Sequence, residues 1–169
     1  MAAIRDTLID YLRDAYAMEQ QAISMIDRQL ERLESYPDFT ARLRQHRDET
    51  EHQVERLETA LHRLGTDSSA LKTMGAKLSA NMQAMMNIFA SDEVIKDLLA
   101  SYTLEQWEIV NYKVLIQTAQ AAGEVEIQRL AEESLREEEA MASWIDSQIP
   151  IITRSFLSRF EAGGQQAAR

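Results

Sequence analysis

Apolar residues recur three or four apart through the first part of the chain, at Ile4, Leu8, Leu12, Ala15, Ile23, Ile26, Leu30 and Leu33. One face of an α-helix carries that spacing, which predicts a helix from about Ala2 to Glu34. Tyr36-Pro37-Asp38 breaks it, and Asp38 is placed to cap the next helix. The second helix is expected over about Phe39 to Leu64, with Phe39, Leu43, Val54, Leu57, Leu61 and Leu64 on its apolar side. Gly65 would close it, and Asp67 or Ser68 would cap the next segment. Residues 68–90 carry Met74, Met82, Met85 and Met86 on a weaker helical pattern and read as a long crossover. A third helix is expected from Asp92, a good cap, to Ala122, and Gly123 separates it from a fourth over about Glu124 to Gln148. Pro150 is expected to start a short terminal helix holding Ile151, Ile152, Phe156, Leu157 and Phe160. The last residues, GGQQAAR, are expected to fray.

Two helical hairpins joined by one long crossover describe a four-helix bundle, and ferritin-like folds are built on that plan. The expected fold class is therefore all-α: a ferritin-like four-helix bundle with one long helical crossover and a short C-terminal fifth helix. Residues 1–162 would form a single domain and 163–169 a disordered tail. Length and composition agree with this. A chain of 169 residues is one domain by the length prior. With 5 glycines and 2 prolines, and with no alternating apolar pattern, it has little of what strands and their turns need. The formal net charge of −10 disfavours nucleic acid and anionic membranes as partners and suits a protein that attracts cations. The absence of cysteine excludes disulfides, thiolate metal sites and cysteine nucleophiles. The opening MAAIRDTLIDYLRD has no apolar signal core and no stretch approaches a membrane span, so the expected location is the cytoplasm.

Four glutamates point beyond the fold to chemistry. Glu19 and Glu49 are 30 residues apart, as are Glu108 and Glu138, and the two pairs are offset by 89. At about 100° per residue, Glu19 falls in series with Leu12, Ala15, Ile23 and Ile26. Glu138 lies close to the centre of the Ile127 and Ile145 stripe. Glu108, beside Ile109 and one turn before Tyr112, is near a core edge. Glu49 stands roughly 80° from the direction of Leu57, at the boundary. A chain with 28 acidic residues places some near a stripe by chance. One inward glutamate per main helix, at matching heights, is harder to reach that way. Buried together, such acids are tolerable only with a cation. Two divalent ions would cancel the charge of four carboxylates, and oxygen donors suit iron best, with manganese or zinc also acceptable.

Histidine placement departs from the usual ferritin-like pattern of Glu-x-x-His on two helices. Glu49-Thr-Glu-His52 has that spacing, but His52 points roughly 140° from Leu57, toward solvent. The corresponding fourth-helix run, Glu138-Glu-Ala-Met141, ends in methionine. His46 is nearer the stripe, one turn before Glu49, and Glu105 precedes Glu108 by one turn. With the second and third helices parallel, His46 and Glu105 would lie at one level and flank the metals as ligands or as their neighbours. His62 is expected at the surface. Tyr16 and Tyr112, one turn from Glu19 and Glu108, are candidate donors beside the site, with core packing as the plainer role. Trp107 and Trp144 are expected in packing or at a dimer surface.

The segments Asp14-Ala-Tyr-Ala-Met-Glu19-Gln-Gln21, His46-Arg-Asp-Glu49-Thr50 followed by Gln53-Val-Glu-Arg-Leu57, Glu105-Gln-Trp-Glu108-Ile-Val-Asn-Tyr112 and Glu137-Glu-Glu-Ala resemble the YciE/YciF-type ferritin-like proteins. The likeness runs in the same order over about residues 4 to 148. It implies a ferritin-like bundle, commonly a homodimer, associated with bacterial stress responses, and a pattern centred on His46, Glu49, Glu105, Glu108 and Glu138. Ala142 departs from it, standing where an acid is often found four residues after the fourth-helix glutamate.

Two functions compete. In the first, Glu19, Glu49, Glu108 and Glu138 hold or bridge two iron ions, with His46 and Glu105 completing the site. The protein would then be an oxidoreductase acting on Fe²⁺ and O₂ or peroxide. In the second, it is a stress-associated structural or interaction protein with an inert site, using the terminal apolar segment or the methionine-rich crossover as a surface. A storage cage is a weaker third, since nothing in the sequence specifies a shell.

Overall fold

A computed structural model describes residues 2–33, 35–66 and 94–163. These form four helices: α1 (Ala2–Leu30), α2 (Pro37–Arg63), α3 (Val94–Ala122) and α4 (Val125–Gly163). The expected crossover with its cap at Asp67 or Ser68, the expected third-helix cap at Asp92 and the tail beyond Gly163 lie outside the described residues. No described helix is long and apolar enough to cross a membrane.

The helices make a bundle in which α1 packs on α2 and α3, and α4 on α3 and α2. Contacts between ends set their directions. An Arg5 guanidinium nitrogen lies 3.5 Å from the Leu64 carbonyl, and Arg63 pairs with Glu124 at 3.2 Å. At the opposite end, Gln29 Nε2 donates to the Asp97 carbonyl and to Ser101 Oγ at 3.1 and 3.0 Å. Thus α2 and α3 run parallel, as do α1 and α4. That is the sense of a bundle whose two hairpins are joined by a long crossover.

Local chemistry sets most boundaries. α2 and α3 both end in glycine with positive φ, Gly65 at 73° and Gly123 at 74°. In each case the residue after glycine donates back across the last turn, Thr66 to the Leu61 carbonyl at 3.1 Å and Glu124 to Ala119 at 3.0 Å. This is the glycine-terminated cap that only a left-handed residue completes. At the start of α2 the expectation needs correcting. Tyr36 occupies the cap position, Pro37 is the first helical residue, and Asp38 lies within the first turn. Proline has no N–H to satisfy there, and Asp38 still favours the positive helix end. α1 stops at Leu30, short of the expected Glu34. The chain turns so that Leu33 enters the core, and Thr40 Oγ1 donates to its freed carbonyl at 2.8 Å.

The largest departure is at Pro150. It begins no separate fifth helix but lies inside α4, which continues to Gly163. An interior proline costs about 3 kcal/mol because it removes a hydrogen bond and crowds the preceding turn. Helical phase explains why the helix continues. Ile145, Ile152 and Phe156 follow at steps of seven and four, and all three join one apolar cluster. Arg159 adds a bond to the Ser35 carbonyl at 2.9 Å and lies 4.8 Å above the Tyr36 ring.

Two apolar clusters fill the bundle. One centres on Leu8, Leu12, Leu57, Leu61, Leu115 and Ile127, with Trp107 packed against it. The other gathers Ile26, Phe39, Leu43, Val94, Leu98 and Ile145. Trp144 belongs to the second and stacks on Phe39 with ring centroids 5.9 Å apart. Between these clusters lies a layer of buried polar side chains.

Candidate metal centre

That layer holds Glu19, His46, Thr50, Gln53, Glu105, Glu108 and Glu138, all buried. Every helix contributes: α1 gives Glu19, α2 gives His46, α3 gives Glu105 and Glu108, and α4 gives Glu138. Glu108 and Glu138 are 0 % exposed and His46 is 1 %. Ligand atoms of His46, Glu105, Glu108 and Glu138 all lie within 4.8 Å of one another. His46 Nε2 faces two of these acids, 3.2 Å from Glu105 Oε1 and 3.7 Å from Glu138 Oε2. His46 and Glu105 therefore share one level on the parallel helices α2 and α3.

Glu19 is buried beside this group and accepts a hydrogen bond from the Tyr112 hydroxyl at 2.7 Å. Glu49 is placed differently. Its side chain is 22 % exposed and turned along α2, accepting from Gln45 Nε2 at 2.8 Å and from Arg42 at 3.0 Å. Its Oε2 also lies 3.1 Å from His46 Nδ1. The two nitrogens of the imidazole thus face different ways, Nδ1 to Glu49 and Nε2 into the cluster. His52 and His62 are exposed. Tyr16 reaches Glu58 at 3.1 Å rather than the acidic layer, whereas Tyr112 is fully buried within it.

As carboxylates, these acids lack donors. Glu19 Oε2, Glu105 Oε2 and both oxygens of Glu108 and Glu138 are buried without a hydrogen-bond partner. Their proton affinities reflect this. Burial pushes Glu19 up to about 8, against the lowering effects of Tyr112 and His46. Burial first, then Glu138, Glu19 and Glu105, hold Glu108 well above the ordinary glutamate value. Glu138 is raised by burial and by Glu105, with His46 opposing. For His46, burial favours the neutral ring, but Glu105, Glu49 and Glu138 together hold it well above its usual value. Burial of Glu49 acts upward too, yet His46 and Arg42 bring it down to about 2. A buried cluster that is short of protons or cations has the donor set a divalent ion requires: several hard oxygens and one imidazole from facing helices. This buried group could hold a metal ion.

The surroundings contain residues to which sequence reasoning assigned no role. Thr50 Oγ1 donates to the His46 carbonyl at 2.9 Å, and Gln53 Nε2 reaches Glu137 at 3.0 Å. Arg56 clasps both oxygens of Glu137, at 2.6 and 2.7 Å, tying α2 to α4 beside the layer. Glu139 is on the surface, paired with Lys113 at 3.0 Å. Thr50, Gln53 and Leu57 continue the α2 face from His46 at steps of four, three and four, a signal that was available in the sequence.

Fold and site together define a class: an all-α, ferritin-like helical bundle with a buried histidine–carboxylate cluster at mid-height. The chain belongs to the family described as Domain of unknown function (DUF892), whose model matches residues 3–158. Solved structures agree. A protein from Xanthomonas campestris pv. campestris is 30 % identical, with a TM-score of 0.77 over 94 % of this chain and 99 % of that one. YcfI from Rhodopseudomonas palustris is 26 % identical, with a TM-score of 0.65 over 85 % and 92 % of the two chains. The E. coli stress protein YciF shares the fold, at 21 % identity and a TM-score of 0.68 over 88 % and 96 %. The resemblance to YciE/YciF-type proteins drawn from the motifs is met by these matches.

Proposed function

We propose that the protein is a dimetal-carboxylate protein that binds two divalent ions, iron first, in the layer between its apolar clusters, and that it oxidises Fe²⁺ with O₂ or peroxide under stress. The observation that carries this reading is the set of six buried, donorless carboxylate oxygens on Glu19, Glu105, Glu108 and Glu138. A fold has no structural reason to collect such groups, because burying them costs desolvation that Tyr112 and His46 offset only in part. His46, Glu105, Glu108 and Glu138 would hold the first ion, and Glu19 would extend the donor set to a second. Bound ferrous iron would supply the electrons for reducing the oxidant. Tyr112 holds Glu19 in place through its 2.7 Å bond, and the flanking leucines and isoleucines keep bulk water from the layer.

Under anaerobic loading with Fe²⁺ followed by O₂, the protein should consume oxygen and form ferric absorption faster than free iron in the same buffer. Glu108→Ala and Glu138→Ala should reduce this to the buffer rate. Equal rates for the parent protein and buffer would refute the oxidase reading.

A second reading, a structural or interaction protein with an inert site, is favoured by YcfI, which is described as a candidate structural protein. Ala142, buried where the family pattern often has an acid, points the same way. A melting temperature unmoved by chelator, and by Fe²⁺ or Mn²⁺, would select it.

A further inference from the structure

Glu49 is spaced from Glu19 as Glu138 is from Glu108, and by that symmetry it belongs among the metal donors. Its geometry gives it another task. The carboxylate sits outside the buried layer, and three groups of α2 fix it: Arg42 at 3.0 Å, Gln45 at 2.8 Å and His46 Nδ1 at 3.1 Å. Arg42, Gln45 and Glu49 lie three and four residues apart, on one face of the helix, so the clamp is built into a single rigid element. Reversing the His46 ring would break its Nδ1 contact with Glu49, and in the orientation that keeps it Nε2 faces Glu105 and Glu138. Thr50 reinforces the same turn through its bond to the His46 carbonyl.

We propose that Glu49 is a positioning residue rather than a metal donor: with Arg42 and Gln45 it holds His46 by Nδ1 and presents Nε2 to the metal. The inference rests on the reading of the buried layer as a metal site. A carboxylate that accepts from the second nitrogen of a ligating imidazole orients the ring and raises its basicity, and losing it typically costs 10–100-fold in metal affinity. A donor behaves differently. Its replacement by an uncharged side chain removes a ligand and, in a two-ion site, can remove an ion.

The test compares Glu49→Gln, Glu49→Ala and Glu138→Gln with the parent protein. Mn²⁺ binding is followed by equilibrium dialysis, the Co²⁺-loaded visible spectrum is recorded, and the ¹⁵N signals of the His46 ring are measured in metal-free protein. Glu49→Ala should keep the parent number of ions per chain and bind them about 10–100-fold more weakly. Glu49→Gln, whose amide oxygen can still accept from Nδ1, should recover most of that loss with an unchanged Co²⁺ spectrum. Glu138→Gln should lower the number of ions bound. Loss of an ion in Glu49→Gln would overturn the proposal by making Glu49 a donor. Affinity unchanged in Glu49→Ala would overturn it by making the clamp an ordinary surface ion pair. The ring signals keep the inference separate from its premise. If the parent protein binds no ion, the metal reading fails, and Glu49→Ala then still decides whether Glu49 holds the ring. A shifted and broadened Nδ1 signal supports the clamp, and an unmoved one rejects it.

Discussion

Raising the pH of the metal-free protein from 5 to 8 should weaken it, and the size of the effect follows from the buried acids. Glu19 carries the clearest value, about 8 in the folded protein against 4.5 for an ordinary glutamate, with burial as the main cause. The folded state therefore binds this proton more tightly than the unfolded chain does. The associated stability is fully present below about 4.5 and is lost as pH rises through about 8. The gap corresponds to roughly 5 kcal/mol, an upper bound, because the neighbouring carboxyls titrate together. Glu108 and Glu138, also raised by burial and by their neighbours, act in the same sense, as does His46. Glu49 acts oppositely, but its contribution is lost only as pH falls toward about 2, outside this window. For a domain with about 5–15 kcal/mol of total stability, the loss is large. Urea unfolding followed by far-ultraviolet circular dichroism, in chelator at pH 5, 6, 7 and 8, should give midpoints that fall steadily. Glu19→Gln should flatten the slope, and a saturating divalent ion should flatten it further. A midpoint that stays level or rises between pH 5 and 8 would refute the reasoning, as would a Glu19→Gln variant with the parent slope.

Three further outcomes rest on particular contacts. Tyr112→Phe removes the donor to Glu19 and should cost about 1–3 kcal/mol at pH 8, with the loss shrinking toward pH 5 as Glu19 takes up its proton; an equal loss at both pH values would show that the hydroxyl acts elsewhere. Arg56→Met breaks the two-pronged pair with Glu137 across α2 and α4 and should cost about 1–3 kcal/mol in a urea titration, with helix content unchanged. Pro150→Ala restores a helical N–H inside α4 and should stabilise the protein by about 1–3 kcal/mol. A Pro150→Ala variant less stable than the parent would mean that α4 needs the proline, which its unbroken apolar stripe gives no reason to expect.

The helices α1, α2 and α4 were legible because their apolar stripes are long and regular, and the ends of α2 and α3 because Gly65 and Gly123 terminate them by a backbone conformation few other residues accept. Pro150 misled because a local rule about proline was applied where burial of Ile152 and Phe156 decides the outcome. Tyr36 takes the cap position expected of Asp38 for a similar local reason, proline fitting the first helical position better than the one before a cap. At the site, phase placed Glu19 and Glu138 inward and His52 outward, and the structure places them so. Glu108 is more deeply buried than its phase at the core edge implied. α3 packs against both α1 and α4 and buries a broad face, so a single narrow stripe describes it poorly. The bearing of Glu49 was not readable, because phase gives the direction of a Cβ and not which neighbour a long side chain turns to.

Whether the buried carboxylates exist to hold metal is decided by titrating chelator-treated protein with Mn²⁺ or, anaerobically, with Fe²⁺ in a calorimeter. The parallel sample is the Glu108→Gln, Glu138→Gln double variant. Stoichiometric binding to the parent protein, with a rise in its melting temperature, and no such binding to the variant are the expected results. Because burial disfavours ionisation of both acids, the variant should also lose less stability than the parent between pH 5 and 8 without metal. A parent protein that binds neither ion, or a double variant that binds them equally well, would contradict a metal-holding role for the buried layer.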